Sequence, residues 1–192
     1  MKEPIFTVIA GANGCGKSTL TQWARAYFQE TPVLDPDAVA VKLEATSGEG
    51  VSAIEAGKQV LRSADDFFEK SLSFVIETTL SGGTHLKMMR RAKELKYRVR
   101  LFYIGTEGVE INIERIKFRV SKGGHDVPEE DQHRRFPRTF ANLPQALQLA
   151  DEALLVDNST QTGHRAVGLK LQGTGIHWFE PVPEWALFLK KS

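Results

Sequence analysis

Ile5-Phe6-Thr7-Val8-Ile9-Ala10-Gly11-Ala12-Asn13-Gly14-Cys15-Gly16-Lys17-Ser18-Thr19 is the stretch on which the fold turns. Its first six residues form an apolar run of the kind found in strands buried on both faces. Glycines follow, and then residues 18–28 are compatible with a helix. Between strand and helix, Gly11 to Ser18 matches G-x-x-x-x-G-K-[ST] letter for letter, the phosphate-binding loop in the context that its physics requires. In such a loop the backbone N–H groups of Gly11, Ala12, Asn13, Gly14, Cys15 and Gly16 curl around phosphate oxygens at the positive end of the helix. Lys17 then meets the β- and γ-phosphates, Ser18 offers its hydroxyl to Mg²⁺, and Thr19 serves the α-phosphate side. A dinucleotide fingerprint does not fit, because position 13 is Asn where G-x-G-x-x-G needs glycine.

Working outward, the same strand-then-helix grammar recurs. Strands are predicted at 32–35, 73–78, 98–105 and 153–157, and helices at 51–72, 84–96, 109–121 and 128–150, the last broken near Pro137 and Pro144. After Asp157, residues 166–171 and 176–179 flank Gly173-Thr174-Gly175 and read as an antiparallel hairpin. The expectation is a single α/β domain over residues 1–192: a three-layer sandwich around a mainly parallel sheet, with a helical lid at about 115–145 and a C-terminal hairpin at about 164–182.

Composition narrows the function. Lys+Arg 25 against Asp+Glu 24 leaves a net charge of +1, which offers little long-range attraction to a nucleic-acid backbone. The single cysteine, Cys15, cannot form an internal disulfide, and no apolar stretch is long enough to span a bilayer. The apolar run after Met1 to Pro4 is shorter and more poorly flanked than a signal peptide requires, so none is expected. A cytoplasmic protein without membrane contact is expected. Five histidines show no metal-ligand spacing, and the three tryptophans read as packing residues.

A phosphate loop alone does not distinguish a kinase from other nucleotide-using proteins, so the ends of the other strands matter. The second strand closes with Asp35-Pro36-Asp37, and either carboxylate could orient an acceptor hydroxyl and take its proton, or cap a turn. The third ends in Glu77 followed by Thr78, Thr79, Leu80 and Ser81, and Glu77 could hold substrate hydroxyls or a water on Mg²⁺. Arg115 and Arg119 lie one turn apart, and Arg134, Arg135 and Arg138 follow Gly123-Gly124-His125, a joint on which arginines could fold over the transferring phosphoryl group. Asp157-Asn158-Ser159 could approach the nucleotide base or cap a turn.

Taken in order, the phosphate loop, Asp35-Pro36-Asp37-Ala38-Val39-Ala40, Ile76-Glu77-Thr78-Thr79-Leu80-Ser81, Gly123-Gly124-His125-Asp126-Val127-Pro128, Arg134-Arg135 and Asp157-Asn158-Ser159 resemble the zeta-toxin-like kinases. They are similar in particular to the compact branch labelled "predicted ABC-type ATPase". That resemblance implies ATP- or GTP-dependent, Mg²⁺-assisted phosphorylation of a UDP-activated amino sugar such as UDP-N-acetylglucosamine, and a possible antitoxin partner. It implies Asp37 as the base, Glu77 and Thr79 as substrate-binding residues, Lys17 and Ser18 in their loop duties, and Arg119 with Arg134 or Arg135 as lid arginines. Leu80-Ser81-Gly82-Gly83 imitates the start of an ABC signature, but Thr84 follows and the segment directly succeeds the Glu77 strand, so that reading is rejected. A kinase for another alcohol or a nucleic-acid end, and a nucleotide-dependent interaction module, are the competing expectations.

Overall fold

The computed structural model describes residues 3–24, 28, 31–36, 38–39 and 53–190. Seven strands form one sheet: β1 (Ile5–Ala10), β2 (Val33–Leu34), β3 (Phe74–Thr78), β4 (Arg98–Gly105), β5 (Glu152–Asp157), β6 (Arg165–Lys170) and β7 (Ile176–Trp178). Their order is β2-β3-β1-β4-β5-β6-β7. The first five strands of that order run parallel, while β6 and β7 pair antiparallel at one side. The fold is thus the mainly parallel P-loop kinase-like α/β sandwich with an antiparallel C-terminal part.

Helices α1 (Lys17–Trp23), α2 (Ala53–Glu69), α3 (Thr84–Glu94), α4 (Val109–Ser121), α5 (Glu129–Leu149) and α6 (Glu184–Lys190) fill the connections and the C-terminus. Alternation along β1 sorts the core into two layers. Phe6, Val8 and Ala10 face a large cluster shared with α2, α3, α5 and α6, whereas Ile9 joins Val75, Phe102, Ile104 and Phe28 under α1. Both faces of β1 are therefore dry, which is why its sequence reads as a run and not as an alternation. At the heart of the larger layer Phe68 meets Phe6, Phe74 and Tyr97 edge-on, with centroids 5.0 to 5.5 Å apart.

Three details depart from the sequence reading. The second strand is only two residues long, because β2 lies at the sheet edge and pairs with β3 alone. Helix α5 runs unbroken through Pro137 and Pro144. Proline's fixed φ is helical, and the carbonyl of His133 that Pro137 leaves without an amide belongs to an exposed turn where water can satisfy it. Helix α6 has no counterpart among the helices the sequence predicts. Glu107 holds its start, its carboxylate accepting the backbone N–H groups of Glu184 at 2.9 Å and Trp185 at 3.3 Å. The Trp185 ring lies on Gly105, where a Cβ would come within 2.4 Å of it, and its indole N–H donates to Asp157 at 3.0 Å. Among the described residues no helix is long and apolar enough to cross a membrane.

Candidate active site

Parallel strands β1 and β3 end side by side, and the phosphate loop begins where they stop: the Gly11 N–H donates to the Thr78 carbonyl at 3.2 Å. Two glycines are required by what surrounds them. Gly14, at φ +77°, would place a Cβ 2.5 Å from the Asn112 carbonyl oxygen, and Gly16, at φ +102°, would place one 2.6 Å from Asn158 Nδ2. Asn158 itself donates to the Cys15 carbonyl at 2.8 Å, so the end of β5 braces the loop from outside. His164 adds a contact of 3.2 Å between Nε2 and the Gly16 carbonyl. Cys15 is fully buried, and that burial pushes its thiol pKa up, leaving it a packing residue.

The loop opens into a cleft of about 990 Å³. Lys17 stands at its floor, its Nζ donating to the carbonyls of Gly11 at 2.9 Å and Ala12 at 3.1 Å. Glu77, only 4 % exposed, lies opposite. Its two carboxylate oxygens are held by different residues of α1, Thr21 Oγ1 at 2.5 Å and Ser18 Oγ at 3.2 Å. Burial raises the Glu77 pKa and the Asp35 charge raises it further, while the Thr21 and Ser18 hydroxyls and Lys17 act against that rise.

The chain places the expected residues unevenly. Lys17, Ser18, Thr19, Glu77 and Thr79 all line the cleft. Arg119 and Arg135 line it from α4 and α5; Arg119 donates to the His125 carbonyl at 2.6 Å, and Arg135 pairs with Asp131 at 2.8 Å and reaches Asn13 at 3.5 Å. Arg134 does not reach the cleft and pairs instead with Asp131 on the same helix. Asp37 lies outside the described residues. Arg115, whose one-turn offset from Arg119 is visible in the sequence, also lines the cleft and keeps Nη1 buried without a hydrogen-bond partner. Thr21 and His164 carry no motif signal, because each acts on a residue distant in the chain, whereas Asn158 belongs to the Asp157-Asn158-Ser159 segment already singled out and proves to brace the loop. Trp185 is buried in the core and Trp178 packs against it, but Trp23 is 65 % exposed at the cleft, edge-on to His164.

The strand-end loop beyond Glu77 is held in an uncommon shape. Leu80 is fully buried at φ +56°, a left-handed conformation that a branched side chain adopts only when its surroundings fix it. Helix α5 supplies the fixing: Thr139 Oγ1 donates to the Thr79 carbonyl at 2.5 Å, and Asn142 to the Leu80 carbonyl at 2.8 Å. The Leu80 N–H turns back to Thr78 Oγ1 at 3.0 Å.

A divalent cation is tested by this donor set. Ser18 and Glu77 bring hard oxygens to one spot beside the phosphate loop, and among the described residues no cluster of three His, Cys, Asp or Glu forms an all-protein cage. That fits Mg²⁺, which binds through few protein ligands together with waters and phosphate oxygens.

Known proteins share this fold. A chain of the AvrRxo1-ORF1:-ORF2 complex superposes with a TM-score of 0.75 at 16 % identity, over 98 % of this chain, which spans 63 % of that one. The PezAT chromosomal toxin-antitoxin system of Streptococcus pneumoniae gives a TM-score of 0.65 at 20 % identity, covering 88 % of this chain and 73 % of that one. These likenesses show the fold. In sequence, an uncharacterized Haemophilus influenzae protein is 37 % identical over 120 residues, 62 % of this chain and 84 % of its own. The zeta toxin family model matches residues 1–163, from the first strand through the phosphate loop, Glu77 and the arginine helices, and the chain belongs to the zeta toxin family.

Proposed function

We propose that the chain is a phosphotransferase that moves the γ-phosphate of ATP, or GTP, to a hydroxyl of a UDP-activated amino sugar such as UDP-N-acetylglucosamine. The observation that carries this reading is the convergence of Lys17, Ser18, a buried carboxylate at Glu77 and three arginines on one cleft. Lys17 and the loop amides bind the phosphates, and Arg115, Arg119 and Arg135 offset charge on the transferring group. Mg²⁺, when bound, neutralises charge on the β- and γ-oxygens, and Ser18 with Glu77 would hold it. Glu77 and Thr79 also face the acceptor half of the cleft, and Asp37 is the base in this reading. Residues 115–145 serve as the lid, and the whole chain works as one domain.

Membership in the zeta toxin family supports a phosphotransferase, and the AvrRxo1-ORF1:-ORF2 complex has been solved with ATP. An antitoxin-like partner is part of the proposal, since similar folds occur in the AvrRxo1-ORF1:-ORF2 complex and in the PezAT toxin-antitoxin system. The near-neutral charge and single cysteine suit a cytoplasmic protein acting on a small molecule and not on nucleic acid. The deciding experiment is transfer of labelled γ-phosphate from ATP to a panel of UDP-sugars, read by mass. A phosphorylated UDP-sugar that disappears in Lys17→Ala and Asp37→Asn is expected. Hydrolysis to ADP with every sugar intact would overturn the acceptor assignment.

A further inference from the structure

His85 belongs to none of the motifs, yet it lines the cleft together with Glu77 and Thr79. It sits in the first turn of α3, where the positive end of the helix opposes a second positive charge. Its Nδ1 lies 2.9 Å from Thr78 Oγ1. Hydrogen accounting on that hydroxyl sets the tautomer. Thr78 Oγ1 already accepts the Leu80 N–H, and the threonine is buried, so its own proton needs an acceptor. The His85 Nδ1 lone pair is the acceptor in reach among the described residues. Nδ1 is then unprotonated, and the ring proton resides on Nε2. No described residue bonds Nε2, and it is not among the buried unpartnered nitrogens, so it opens onto accessible space.

We propose that His85 is an acceptor-positioning residue whose Nε2–H donates a hydrogen bond to an oxygen of a hydroxyl-bearing portion of the acceptor in this cleft. The inference rests on the kinase reading above and deepens it. Asp35 and Glu77 also line the cleft, and both are acceptors. A hydroxyl group both donates and accepts, so carboxylates alone satisfy half of it; His85 supplies the other half. Burial also drives the imidazole pKa down to about 4, so the ring keeps a fixed neutral donor at working pH.

Two measurements test it. Long-range ¹⁵N spectra of the unliganded full chain, assigned with His85→Gln, are expected to show His85 with Nδ1 unprotonated and Nε2 protonated at neutral pH. In transfer assays with UDP-N-acetylglucosamine, His85→Phe is expected to raise the acceptor KM about 3- to 10-fold, the loss of one neutral hydrogen bond, with less change in kcat and less than about twofold in the KM for ATP. His85→Gln, whose amide N–H can stand near the Nε2 position, is expected to recover part of that loss. An Nδ1–H tautomer, or an acceptor KM in His85→Phe equal to that of the parent, overturns the role of His85 and leaves the kinase reading standing. Absence of transfer by the parent chain to any sugar overturns the UDP-sugar assignment on which this inference rests, and the role of His85 falls with it.

Discussion

Ionised Glu77 is costly where it sits, because burial strips water from its carboxylate and Asp35 adds a like charge. The folded chain therefore holds the Glu77 proton to higher pH than the unfolded chain does. Stability contributed by this group is present at low pH and falls as pH rises from the ordinary glutamate range through the raised folded value. Glu77→Gln keeps an oxygen for Thr21 and offers an amide to Ser18, so it removes the charge without leaving either hydroxyl unpaired. The expected result is a Tm about 2–4 °C higher at neutral pH, the shift that ~1 kcal/mol gives a chain of this size, with transfer lowered by about 10²-fold or more. Calorimetry beside the transfer assay checks both; a lower Tm would show that the carboxylate stabilises the fold. Glu77 is legible from sequence because it ends an apolar strand. Thr21 and His85 are not, since each takes its part from a partner on another element or across a tight turn, and no local spacing announces such pairs.

At the scale of elements, the parallel strands and their crossovers are legible because each buried strand is written as a short apolar run between glycines or polar residues. Helix α6 escapes for the opposite reason. Its seven residues gain their place from Glu107, Gly105 and Asp157, all tens of residues away. The continuous α5 shows the limit of a local rule: tertiary contacts with the 79–80 loop and the core hold the helix through two prolines. Packing of α2 rests on Phe68, 3 % exposed among three other rings. Phe68→Ala is expected to cost about 3–5 kcal/mol in a denaturant titration while the phosphate loop, on the far end of β1, keeps its sequence and contacts. A cost below ~1 kcal/mol would mean that α2 contributes little to the core.

For the whole molecule, the family match stops at residue 163, but the sheet does not. Strand β6 covers β5 along residues 153–157, and β7 and α6 follow it. A chain ended at residue 163 would leave β5, with Leu154, Leu155 and Val156 in succession, as an uncovered margin presenting backbone N–H and carbonyl groups to any other chain in solution. The expected outcome is concentration-dependent association, measured by light scattering against the full chain; a monodisperse monomer would contradict it. The hairpin thus has a second consequence, in solubility: residues 165–178, beyond the catalytic motifs, keep one copy of the sheet from being continued by the next, and a shortened chain would be lost to aggregates before its chemistry could be assayed.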